Sequence, residues 1–153
     1  MPPNIPSRKR IYLDVCALCR PFDDQRQMRI ALETQAVHLI FSQVRQQRFE
    51  LLLSPAHEAE ILAIRDRQER DELLLLLRQI GTFPTYDLAV AHLRTQNLKQ
   101  PGLKVADAAH LALAEQVSDV LITVNDRFLK FCRRTNTVLC CTPPQFCEQE
   151  NLL

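Results

Sequence analysis

The chain has 153 residues, 46% of them hydrophobic and 24% charged, the balance of an ordinary soluble globular protein, and that length supports one domain whose core needs neither disulfides nor a structural metal. Its two glycines, Gly81 and Gly102, stand too far apart for a G-x-G-x-x-G or a G-x-x-x-x-G-K-[ST] loop, which excludes the usual dinucleotide fingerprint and the P-loop. A net charge of +1 supplies no global field toward nucleic acid, membrane or an acidic partner, so any such case rests on local patches.

Residues 1–9 read as a flexible N-terminus to a single domain occupying the 153-residue chain. Arg8-Lys9-Arg10 is followed by a short run that already contains Asp14, not by an apolar segment of secretory length, so a cytoplasmic protein is expected. Short apolar runs at residues 11–13, 49–53, 120–124 and 138–140 have the unbroken hydrophobicity of buried parallel strands. Helical periodicity predicts helices over 25–47, 55–67, 70–80, 88–98, 104–117 and 127–133, with a weaker strand near 82–85 that Pro84 assigns to a sheet edge. Strands alternating with helices specify the α/β class, a three-layer α/β/α arrangement on a central parallel sheet. Asp24, Ser54-Pro55 and Asp87 supply helix starts. The most apolar stretch, residues 73–77, is far below the ~20 residues that cross a bilayer, so no membrane partner is expected. Cys16, Cys19, Cys132, Cys140, Cys141 and Cys147 are expected as free thiols of a reducing compartment. The Cys16-x-x-Cys19 pair lacks a second pair to complete a zinc site.

Several acids have no such structural use. Asp14 closes the first strand, where open α/β sheets place their ligands, and the helix that could use it as a cap starts some ten residues later. The 104–117 helix is apolar nearly all round, and Asp107 with His110 are its polar interruptions on one face. A carboxylate taken out of water has to be paired with a cation or protonated. Asn125-Asp126-Arg127 follows another strand, and Glu58 and Glu60 open the helix after a third; periodicity does not choose between those two glutamates. Converging carboxylates with few histidines suit a hard cation, Mg²⁺ or Mn²⁺, rather than zinc. His57-Glu58 lacks the second histidine of H-E-x-x-H.

Taken in order, Tyr12-Leu13-Asp14-Val15-Cys16, Ser54-Pro55 leading to Glu60-Ile61, Asp107-Ala108-Ala109-His110, and Leu121-Ile122-Thr123-Val124-Asn125-Asp126 resemble the four motif blocks of PIN domains, a family that includes VapC-type toxins of toxin–antitoxin operons. The resemblance spans roughly residues 11–141 and implies a Mg²⁺- or Mn²⁺-dependent ribonuclease with sheet order 3-2-1-4-5. It matches Asp14, Glu60 and Asp107 to the first three acids and Thr123 to the threonine before the fourth. The fourth acid falls on Asn125, with Asp126 adjacent, and Val15-Cys16 also departs from the usual pattern. Asp14, Glu60, Asp107 and Asp126 are therefore the expected catalytic acids, Asn125 joins them as an expected metal ligand, and Thr123 and His110 support them. Arg127, Lys130, Arg133 and Arg134 are expected along the RNA backbone. The expected partners are an RNA substrate, a protein antitoxin and a second copy in a homodimer, to which the 70–80 helix would lend its leucines. The alternative is a catalytically decayed PIN-like module that binds RNA or protein, and Asn125 favours it.

Overall fold

A computed structural model describes residues 7–152, so residues 1–6 of the expected flexible N-terminus lie outside the described residues. Lys9 belongs instead to the first strand, β1 (Lys9–Leu13), which is the axis of the sheet. It pairs in parallel with β2 (Phe49–Leu52) on one side and β4 (Val120–Ile122) on the other. Outside these lie β3 (Gly81–Thr82) and β5 (Leu139–Cys141), giving five parallel strands in the order β3-β2-β1-β4-β5. The edge strand expected at 82–85 is thus shorter and earlier, because Pro84 cannot donate to a ladder.

Period-two alternation along buried strands produces the two helical layers. Ile11, Leu13, Leu51, Val120 and Ile122 enter one core with α2 (Met28–Arg45), α4 (Arg67–Ile80) and α8 (Pro143–Gln149). Tyr12, Leu52 and Leu121 enter the other, with α5 (Leu88–Leu98), α6 (Val105–Val117) and α7 (Asp126–Thr135). The 55–67 helix ends early as α3 (Pro55–Leu62), and Asp66 starts α4 by accepting the Glu69 amide. Asp24 is not the cap of α2; that position is Gln27, and Asp24 instead pairs with Arg26.

Two helices escaped the sequence reading. Between β1 and α2 lies α1 (Val15–Cys19), followed by a 3-10 turn at Arg20–Phe22, so a helix does begin directly after Asp14. The Pro143-Pro144 pair, which looks like a breaker, instead opens α8 behind a Thr142–Gln145 capping box, since proline is well suited to a first helical position. Among the described residues no helix is long and apolar enough to cross a membrane.

The α4 helix runs into β3 without a loop, and a Cβ on Gly81 would lie 2.5 Å from Leu53 Cδ1 and 2.7 Å from the Leu77 carbonyl oxygen. Because one of those atoms is backbone, Gly81→Ala is expected to cost roughly 1–3 kcal/mol, read as a lower urea midpoint with unchanged slope. An unchanged midpoint would mean that the α4–β3 junction moves freely.

Candidate active site

The site is built on the carboxyl end of β1. Asp14 is 1% exposed there and continues the ladder through its amide to the Ile122 carbonyl, 3.2 Å away. Its Oδ1 accepts the Ala17 amide at 3.0 Å, the N-terminal cap of α1, and its Oδ2 accepts the Thr123 hydroxyl at 2.6 Å. Thr123 is fixed in turn, because its Oγ1 accepts the Asn125 amide. Burial raises the Asp14 carboxyl to about 6, with Asp107 adding to the rise and Thr123, His110 and Ala17 opposing it. The cap that seemed to lie ten residues away is therefore present, yet it does not offset the desolvation of the charge.

Glu60 is held by a chain of buried polar groups. His57 Nε2 donates to the Leu13 carbonyl at 2.6 Å and its Nδ1 accepts the Ser54 amide at 3.0 Å, which fixes its tautomer and satisfies a carbonyl at the end of β1. Burial, and then His110 nearby, lower its pKa to about 3. With that lone pair taken, the Ser54 hydroxyl donates to Tyr12 Oη at 2.7 Å, and Tyr12 donates to His110 Nδ1 at 2.5 Å. His110 Nε2 then donates to Glu60 Oε1. Glu60 is half-buried in this way, while Glu58, which periodicity left equal to it, is exposed. Sequence reasoning overlooked Tyr12, Ser54 and His57; a lone tyrosine in a fully buried strand, just before an acid, was the available signal.

Asp107 lies half-buried in the first turn of α6 and, among the described residues, accepts no hydrogen bond. His110 gives its nitrogens to Tyr12 and Glu60, so the two polar residues of α6 do not satisfy one another. Desolvation raises the Asp107 carboxyl; His110 and Lys104 pull it down, and Glu60 pushes it up. The exposed Cys16 thiol is driven up to about 12 by partial burial and by Asp14, Asp107 and Glu60, so three carboxylates from β1, α3 and α6 share one electrostatic neighbourhood.

The remaining expected residues have other partners. Asn125 Oδ1 accepts the Phe128 amide and caps α7. Asp126 is exposed and forms a two-bond ion pair with Arg29 of α2, at 2.7 and 2.9 Å, which holds it below the usual carboxylate range. Arg29 also reaches the Val124 carbonyl and Glu33. Of the four expected basic residues, all exposed on α7, Arg133 is tied to the Cys140 carbonyl and Gln145, and Arg134 lies over the Phe131 ring.

Among the described residues no three His, Cys, Asp or Glu side chains gather closely enough to enclose a metal ion. The donor chemistry nonetheless fits a hard divalent cation bound in the open manner of Mg²⁺, through one or two carboxylates with water and substrate oxygens completing the shell. Each Asp14 oxygen keeps an unused lone pair beyond its single hydrogen bond, and Asp107 keeps all of its own. Asn125 caps α7 through its Oδ1 and Asp126 is paired with Arg29, so neither is as free an acceptor as Asp107.

Two outcomes follow from these contacts. In chelator, Asp14→Asn is expected to be more stable than the wild type by roughly 1–3 kcal/mol at pH 7. A carboxyl whose folded pKa is raised favours the fold while protonated, so the difference should be absent below about pH 4 and complete only above about pH 6. Loss of stability at pH 7 would make Asp14 a helix cap and nothing more. Tyr12→Phe should cost roughly 1–3 kcal/mol in urea unfolding, because His110 Nδ1 loses its buried donor. An unaltered midpoint would show that the Ser54-Tyr12-His110 chain is idle.

A family model described as the PIN domain matches residues 11–134, while no curated protein matches the chain as a relative. The matched span starts in β1 and ends in α7, and so contains every acid described above together with the core of the sheet. With the parallel order 3-2-1-4-5 and Asp14 at the carboxyl end of its central strand, the chain belongs to the PIN domain family, whose fold is that of a nuclease.

Proposed function

We propose that this protein is a divalent-cation-dependent endoribonuclease of the cytoplasm, using Mg²⁺ or Mn²⁺ to hydrolyse RNA phosphodiester bonds. The observation that carries the reading is the convergence of Asp14, Asp107 and Glu60 from three elements, with burial and mutual repulsion raising the carboxyls of the two aspartates. Asp14 and Asp107 would hold the ion, which supplies charge neutralisation at the scissile phosphate and activation of water. Glu60 has one oxygen fixed by His110 and turns the other to accept a proton from the attacking water. Thr123 keeps the Asp14 carboxylate in place, and Lys104, beside Asp107, meets the negative charge of the phosphate. The same proposal makes the protein a toxin-type nuclease restrained by a protein antitoxin and paired as a homodimer. Exposed Leu62 and Phe83, beside a cavity of about 510 Å³ between α3, α4 and β3, support a protein partner. Leu73 and Leu77 of α4 are consumed by the core and leave Leu75 as the exposed leucine of that helix.

A second reading, a decayed module that binds RNA without cutting it, is favoured by Asn125 and by the Arg29–Asp126 pair, which leave the fourth acidic position without a free carboxylate. Incubation of the purified protein with mixed RNA separates the two. Cleavage should need Mg²⁺ or Mn²⁺, stop in EDTA, and fall at least a hundredfold in Asp14→Asn and Asp107→Asn. Glu60→Gln should weaken cation binding and cleavage more than Glu58→Gln does. Undiminished cleavage in EDTA would refute the cation, and RNA binding without cleavage in either ion would establish the second reading.

A further inference from the structure

A concave surface of about 530 Å³ opens between the α5–α6 connection and α7, lined by Gln100, Gly102, Leu103, Arg127, Phe131 and Arg134. Its two guanidiniums differ from most others in the protein. Arg20, Arg29 and Arg94 each pair with a carboxylate, and Arg133 of the same helix is spent on the Cys140 carbonyl and Gln145. Among the described residues Arg127 and Arg134 pair with no carboxylate. Arg134 is steadied from behind, with its guanidinium carbon 5.9 Å from the centre of the buried Phe131 ring. Opposite, Gly102 turns the connection at φ +84°, and its missing side chain brings bare backbone up to Arg127, whose Nη1 would lie 3.8 Å from a Cβ there.

This surface adjoins the start of α6, the helix that carries Asp107. Leu103 on its wall is followed by Lys104, the first cap position of α6, and Lys104 lies close enough to act on Asp107 one turn further on. Arg134 and Arg127 line this surface, and Lys104, next to its wall in sequence, acts on Asp107 of the acid cluster. Arg127 and Arg134 are seven residues apart on one face of α7, about 10 Å along its axis. That separation is too wide for a single small anion and suits two phosphates of one extended chain, and guanidinium forks match phosphate oxygens.

From these observations we infer that the Arg127–Arg134 surface holds the phosphates of single-stranded RNA flanking the scissile bond, and that Arg133 takes no part. The inference rests on the nuclease reading for the identity of the strand. The contacts are to the backbone, so they set position and affinity and read no base.

The test is fluorescence anisotropy of a labelled 12-residue RNA in EDTA across a salt series, with Mn²⁺-dependent cleavage measured in parallel. Arg127→Ala/Arg134→Ala should weaken binding at least tenfold near 0.1 M salt and make the slope of log K against log salt shallower by about 1.4, two phosphates at about 0.7 each. Arg127→Lys/Arg134→Lys should keep the wild-type slope, Arg133→Ala should change neither quantity, and circular dichroism should report the same fold throughout. Equal binding by the double alanine variant and the wild type overturns the inference, as does displacement of the RNA by polyglutamate at equal charge concentration, which would make the surface a site for acidic protein. RNA binding that depends on Arg127 and Arg134 without any cleavage sustains the inference and removes the nuclease reading. RNA that does not bind at all removes both.

Discussion

A single carboxylate taken out of water at the end of the central strand organises this molecule. Asp14 is ringed by what the fold can offer it: the Ala17 amide at the start of α1, the Thr123 hydroxyl at the end of β4, and a ladder bond from its own amide to Ile122. Those contacts join β1, α1 and β4 at one point. They still leave the carboxyl raised to about 6, because two neutral donors do not replace the hydration of a fully buried charge. The protein therefore carries, at the place where α/β sheets bind ligands, a group that gains most when a cation arrives. Stability given up at such a point is the usual signature of a site shaped for binding rather than for folding.

The second organising feature is the polar thread through the otherwise apolar layer behind β1. Ser54, Tyr12 and His110 pass hydrogen bonds from the start of α3 across the strand to α6 and out to Glu60. Each buried polar atom in that thread has a partner, so the thread rigidifies the site without leaving a group unsatisfied. His57 anchors its origin by satisfying the Leu13 carbonyl next to Asp14. Asp14 and Glu60 are thus positioned by neighbouring groups on the same strand end, although they belong to different elements.

The parallel strands and most helices were legible in the sequence because the signals were local: apolar runs flanked by turn residues, and caps such as Ser54-Pro55 and Asp87. Asp14 and Asp107 were legible for a different reason, since each is an acid set in apolar surroundings. Short helices were not legible. Five residues at Val15–Cys19 give periodicity nothing to act on, and the double proline before α8 reads as a break until its capping box is known. Periodicity left Glu60 and Glu58 equal, and the contact that sets Glu60 apart comes from His110, fifty residues away in sequence. The pairing of Asp126 with Arg29, a residue with no local mark of its importance, is a tertiary event that no spacing encodes.

All of this turns on whether the carboxyl of Asp14 is under the strain that its burial implies. Following its carbon NMR signal through an acid titration, first in chelator and then with Mg²⁺, reads that quantity directly. The midpoint is expected near pH 6 in chelator, well above the ordinary 3.8, and should be displaced far downward when Mg²⁺ is added. A midpoint near 3.8 that Mg²⁺ leaves in place would contradict this expectation.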